Sequence, residues 1–136
     1  MVNDHERNTK KTKQPTLTIN DIRDMGLIIR MQGKEFIKYA GLLVMAHSHG
    51  LQSIETTIVH QDIKAGLFIF SAIVSGSRGT FKAHGDSTLT NVSTMIKPHM
   101  IRMAETRAVA RALRSYTAVG MCSLEELGGD NGGDND

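Results

Sequence analysis

The sequence predicts an α+β fold: a β-hairpin and a short helix, then a three-stranded antiparallel sheet packed against a long C-terminal helix. Three observations carry this. Apolar, β-branched runs of strand length sit at 26–30, 53–60 and 67–75, with glycine-bearing turns between them. Apolar residues at helical spacing fill 101–116. The strands follow one another without intervening long helices, so the sheet is antiparallel with the helices on one face.

The elements follow in order. Gly26 to Arg30 is the first strand, Gln32-Gly33 is a turn pair, and Glu35 to Tyr39 returns as the second strand of a hairpin. Gly41 to Ser48 carries Leu42, Leu43, Met45 and Ala46 and stops at Gly50, which reads as a short helix with a glycine end. Ser53 to His60, Leu67 to Ser75 and Thr80 to His84 are the three strands, joined by turns at 62–66 and 76–79. Gly85-Asp86-Ser87 is expected to break the sheet, and 89–96 fits no single element. Pro98 suits the first turn of the long helix, where its missing N–H is harmless. That helix should run to about Thr117 and end near Gly120.

Composition bounds the rest. The chain of 136 residues reads as one domain with two tails. Residues 1–19 read as a disordered basic arm, 20–127 as the folded domain, and 128–136, Gly-Gly-Asp-Asn-Gly-Gly-Asp-Asn-Asp, as a flexible acidic end. With no Trp, the core must rest on Ile, Leu, Val, Ala and the eight Met. No run approaches the roughly 18 apolar residues of a membrane span, and the polar start has no signal-peptide character. The single Cys122 excludes an internal disulfide and fits a reducing cytoplasm. The net charge of +2 conceals an uneven distribution: 76–120 holds seven Lys or Arg against Asp86 and Glu105, whereas 125–136 holds five acids and no base.

The most informative segment is 99–114. Arg107, Arg111 and Arg114 sit at i, i+4 and i+7, which at about 100° per residue places them within roughly 60° of arc. No acid interleaves on that face. Ile101, Ala108, Val109, Ala112, Leu113 and Tyr116 fall opposite and face a core. Arg102 points elsewhere, near Glu105, and reads as structural. A row of guanidiniums suits a polyanion, since Arg matches phosphate geometry; the competing reading is a solvated helix face. Arg30, Lys34 and Lys38 on the first hairpin with the aromatic Tyr39, Lys64 in a strand turn, Arg78 and Lys82 about the last hairpin, and Lys97 before the long helix are isolated basic or aromatic residues that together can line a groove following a phosphate backbone.

Catalytic patterns are weak by comparison. There is no Gly-x-x-x-x-Gly-Lys loop, and Gly76-Ser-Arg-Gly79 is too short for one. His47-Ser-His49 lacks the i, i+4 spacing of a zinc helix, so no metal ligand set is expected. Asp86 with His84 would be the start of a nuclease site, but without partner carboxylates a turn role fits better.

The run Gly33-Lys-Glu-Phe-Ile-Lys-Tyr-Ala-Gly41, followed by Leu42-Leu-Val-Met-Ala-His-Ser-His-Gly50, resembles the start of the Rad-fifty-two single-strand annealing family. The three strands, Gly85, and Glu105-Thr-Arg-Ala-Val-Ala-Arg-Ala-Leu-Arg-Ser-Tyr116 continue the likeness, and His84-Gly-Asp through Pro98-His-Met-Ile-Arg-Met-Ala-Glu-Thr-Arg-Ala resembles its compact prokaryotic and phage members, including the DdrA damage-response proteins. The resemblance covers about 26–121. It implies an annealing core in which Arg111 and Arg114 line an inner groove for single-stranded DNA, with Arg30 and Tyr39 on the hairpin joining them. The basic residue that the family carries before this segment is here Ala110, and Arg107, one turn earlier, stands in for it. An outer DNA site, open to duplex, implies Lys64. The resemblance further implies a homo-oligomeric ring or arc, no cofactor, no covalent chemistry, a recombinase or single-strand-binding protein as partner, and a cytoplasmic place at the nucleoid or in a phage.

The expected function is therefore ATP-independent strand annealing in DNA recombination and repair. The alternatives are a module of double-stranded-RNA-binding character, since three strands and a helix also describe that class, and a structural oligomer without nucleic acid. Competition between single-stranded DNA, duplex DNA and duplex RNA separates them.

Overall fold

A computed structural model describes residues 16–94 and 97–127. The expectations for the basic arm over 1–15 and the acidic end over 128–136 lie outside the described residues. Leu17, Thr18 and Ile19, assigned to that arm, instead belong to the folded part. Thr18 caps a helix, α1 (Ile19–Asp24), through a reciprocal capping box with Asp21. Leu17 donates its N–H to Ser48 Oγ at 2.9 Å, and Ile22 is fully buried. This helix was not anticipated, because six residues show too little periodicity to register.

The hairpin forms as expected from β1 (Ile28–Met31) and β2 (Lys34–Ile37), with Met31 opposite Lys34. Gln32 and Gly33 both take positive φ, 51° and 79°. That is the two-residue turn whose twist matches the strands, and glycine takes it without strain. The hairpin leads into α2 (Tyr39–Ser48). Next come β3 (Leu51–Asp62), β4 (Leu67–Gly76) and β5 (Gly79–Ser87), an antiparallel sheet in the order β3-β4-β5. A 3-10 turn over Lys97–His99 starts α3 (Met100–Thr117), and a short 3-10 helix follows at Leu124–Leu127.

The sheet does not break at Gly85-Asp86-Ser87. These residues pair with Phe70, Ile69 and Phe68 and finish β5. The glycine serves packing. A Cβ on Gly85 would fall onto the α3 backbone at Ala104, Arg107 and Ala108, so its absence lets the helix lie directly on β5. The register puts Phe68, Phe70, Ala72 and Val74 of β4, with Phe81 and Ala83 of β5, toward α3. There they meet Ala104, Ala108, Ala112 and Leu113. Tyr116 is fully buried at the end of the helix. Its ring packs edge-on to Phe81, centroids 5.7 Å apart, and its hydroxyl donates to His49 O at 2.9 Å. One residue expected in the core is not there: Ile101 is 46% exposed, because α3 covers β4 and β5 and overhangs β3 only slightly. The helix stops where expected. Ala118 adopts the left-handed conformation, φ 60°, and closes the end through its N–H.

Candidate functional site

Arg107, Arg111 and Arg114 do converge, as their spacing requires, but on one residue of their own chain, Glu126: Arg111 and Arg114 on its carboxylate and Arg107 on its backbone carbonyl. The expectation that no acid serves this face is overturned by Glu126, twelve residues beyond the last of the three. Its side chain is 3% exposed. Arg114 grips it bidentately, Nε to Oε2 at 2.9 Å and Nη2 to Oε1 at 3.0 Å. Arg111 Nε lies 3.5 Å from Oε1, and Arg107 Nε donates to the Glu126 carbonyl at 3.0 Å. Ser123 N–H completes the shell at 3.0 Å. Burial pushes the Glu126 carboxyl up, yet the hydrogen bonds from Ser123 and Arg114 outweigh it and hold the group below the ordinary carboxylate range.

The three arginines differ in how much they can offer a ligand. Arg107 is buried, and Nη1 donates to Asp86 O (2.7 Å) and Asn91 Oδ1 (3.0 Å), while Nη2 donates to Asn91 O (2.7 Å). It is a bracket joining α3 to the end of β5 and the loop after it. As a direct contact for a polyanion it is corrected: its donors are spent on backbone and amide oxygens of its own chain. Burial also lowers its pKa against the pull of Asp86. Arg111 and Arg114 remain half-exposed, 39% and 26%. Arg111 Nη1 also donates to His84 O at 3.0 Å and lies 4.0 Å from Asp86 Oδ1.

The hairpin residues meet the same C-terminal segment. Ile37 N–H donates to Cys122 O at 3.1 Å, and Ile37 forms an isolated parallel bridge with Ser123. Tyr39 N–H, at the start of α2, donates to Glu125 Oε1 at 2.7 Å, an acid placed where a helix N-terminus favours one. The Tyr39 side chain is half-buried; burial, Glu105 and Glu125 all raise its pKa and keep the phenol neutral. Arg30 is exposed and, with Lys34 and Phe36, lines a hollow of about 680 Å³ whose other wall is Met121, Cys122 and Leu127. Residues 121–127 therefore form a strap that bonds to Tyr39, Arg107, Arg111 and Arg114 and faces Arg30 across the hollow.

Lys82 and Lys64 lie elsewhere. Lys82 is opposite Ile73 on the sheet face away from α3. Lys64 sits in the β3–β4 turn beside a second hollow, about 620 Å³, lined by Ile63, Phe68, Leu89, Ile101, Arg102 and Glu105 among others. Glu105 accepts from Thr56 Oγ1 at 2.7 Å.

Glu125, Glu126 and Asn91 were the residues missed. The one available signal was the Leu124-Glu-Glu-Leu127 segment, whose flanking leucines mark it as packed rather than part of the acidic end. Among the described residues, no three of His, Cys, Asp and Glu gather to hold a metal ion, and no helix is long and apolar enough to cross a membrane. Compared with known proteins, the chain matches no protein-family model, no curated protein and no solved structure.

Proposed function

We propose that this protein binds single-stranded DNA and promotes ATP-independent annealing in DNA recombination and repair, as the sequence resemblance to the Rad-fifty-two annealing family implies. The observation that carries the reading is the gathering of two α3 guanidiniums, Arg111 and Arg114, around one carboxylate, that of Glu126. A bidentate guanidinium that holds a carboxylate holds a phosphodiester by the same geometry. Arg111 and Arg114 supply the phosphate contacts, with Arg30 at the hairpin rim and Tyr39 beside them; Arg107 positions α3. The mechanism is physical: guanidiniums hold one strand by its phosphates, the bases stay open, and pairing with a second strand supplies specificity. No cofactor and no covalent step enters it. Lys64 and Lys82 are candidates for a separate, outer track for DNA.

Assembly into a ring or arc is part of the same proposal. Among the described residues neither β3 nor β5 has an outer strand partner. Ile54, Ile58 and Val59 on β3 are 36%, 47% and 53% exposed. Unpaired edges with apolar neighbours are surfaces that proteins cover by pairing, and head-to-tail contacts between unlike edges close into rings. A cytoplasmic place suits this function.

The test is binding and annealing of complementary oligonucleotides, with duplex DNA and duplex RNA as competitors. Arg111→Ala with Arg114→Ala should abolish annealing while the protein stays folded. Each lost phosphate contact should lower the log–log salt slope by roughly 0.7. Normal annealing by the double variant, or preference for duplex RNA, overturns the reading.

A further inference from the structure

The strap over 121–127 joins two acids to two sites of positive potential. Glu125 takes the free N–H at the start of α2, and Glu126 takes the guanidiniums of Arg111 and Arg114. These are the positions at which the proposed strand would be held. A phosphate offers both sites the same kind of acceptor oxygen, so it can replace each carboxylate bond for bond.

The strap's attachments are of the exchangeable kind. They include charge-assisted bonds at Glu125 and Glu126, the Ile37 N–H bond to Cys122 O with the adjoining Ile37–Ser123 bridge, Met121 partly buried against the core, and half-buried Leu124 and Leu127. Fully buried apolar anchors such as Ile22 or Leu113 have no counterpart in it. Arg107 differs, since three of its four bonds go to Asp86 and Asn91 and survive the strap's departure.

We infer that residues 121–127 are an internal acidic ligand that closes the DNA groove, and that single-stranded DNA enters by displacing Glu125 and Glu126 from α2 and α3. This rests on the single-stranded DNA reading above. It makes the resting protein a weak binder, set against non-productive contacts, and makes strand engagement a competition between carboxylates and phosphates on the same donors.

The experiment measures oligothymidylate affinity by fluorescence anisotropy and amide hydrogen exchange, on the full chain. Glu126→Gln should bind about tenfold more tightly, corresponding to about 1.4 kcal/mol. Glu55→Gln, which removes the same charge from an exposed position on β3, should leave affinity unchanged. In the wild type, saturating oligothymidylate should speed exchange at Ile37 and Ser123, whose amides bond to Cys122 O and the Glu126 carboxylate. Ligands ordinarily slow exchange, so acceleration at these two amides marks strap release. If the wild type binds DNA while these amides are unchanged or slowed, the strap stays closed and the inference is overturned, whatever Glu126→Gln does to affinity. If Glu126→Gln unfolds, the wild-type exchange decides alone. If neither form binds oligothymidylate, the DNA reading itself falls, and this inference with it.

Discussion

The two flanks of the sheet invert the usual rule of burial. On the β5 flank the protein buries charge: Arg107 and Glu126 are 4% and 8% exposed. On the β3 flank it exposes apolar groups: Ile54, Ile58, Val59 and Ile63 stand at 36–78%. One helix accounts for both. α3 sits over β4 and β5 because Gly85 lets its backbone approach there, and its own reach then leaves β3 bare. Charge is tolerated inside where the end of β5, the loop at Asn91 and the strap supply oxygen partners for the Arg107 donors. Apolar surface left outside, beside a strand edge unpaired among the described residues, is where the proposed assembly would form.

The contrast can be broken most severely at Arg107. Arg107→Ala strands the carbonyls of Asp86, Asn91 and Glu126 and should lower stability by about 4 kcal/mol, since bonds from a charged donor contribute about 1.5–3 kcal/mol each before relaxation. Urea unfolding followed by circular dichroism measures it, and a loss below about 1 kcal/mol would show that the bracket is dispensable. Gly85→Ala should come next, at about 2–3 kcal/mol, because the helix backbone must lift off β5. The same measurement on Ile58→Ala, on the bare flank, should show less than about 0.5 kcal/mol.

Acid distinguishes the flanks as well. The Glu126 carboxyl is held below its ordinary value when folded. Its stabilising contribution is therefore complete above the unfolded value, about 4.3, and is lost as pH falls through the lower folded value. Thermal melts of the wild type should decline over that acid range, and Glu126→Gln, less stable at neutral pH by about 2 kcal/mol, should show a flatter decline.

The bare flank gives the smallest effects on stability and the largest on assembly. Ile58→Lys should leave the melting temperature nearly unchanged while sedimentation shows a shift toward monomer. A wild type that sediments as a monomer removes the assembly proposal. Ala118→Gly should stabilise by about 0.5–1 kcal/mol by relieving a left-handed alanine at the helix end.

Much of this architecture was legible from local chemistry. The Gln32-Gly33 turn, the strand runs, Pro98 ahead of α3 and the helix end near Thr117 each depend on neighbours within a few residues, and each was read correctly to within a few positions. The convergence of Arg107, Arg111 and Arg114 also followed from spacing alone, because helical geometry is fixed by the backbone. What they converge on did not follow. Glu125 meets Tyr39 across 86 positions, Asn91 meets Arg107 across 16, and Gly85 acts on a helix rather than within its strand. Such pairings are chosen by which surfaces can approach once all the elements are packed. Periodicity registers the face a residue occupies, and only the tertiary structure decided whether that face met solvent, a core or a carboxylate.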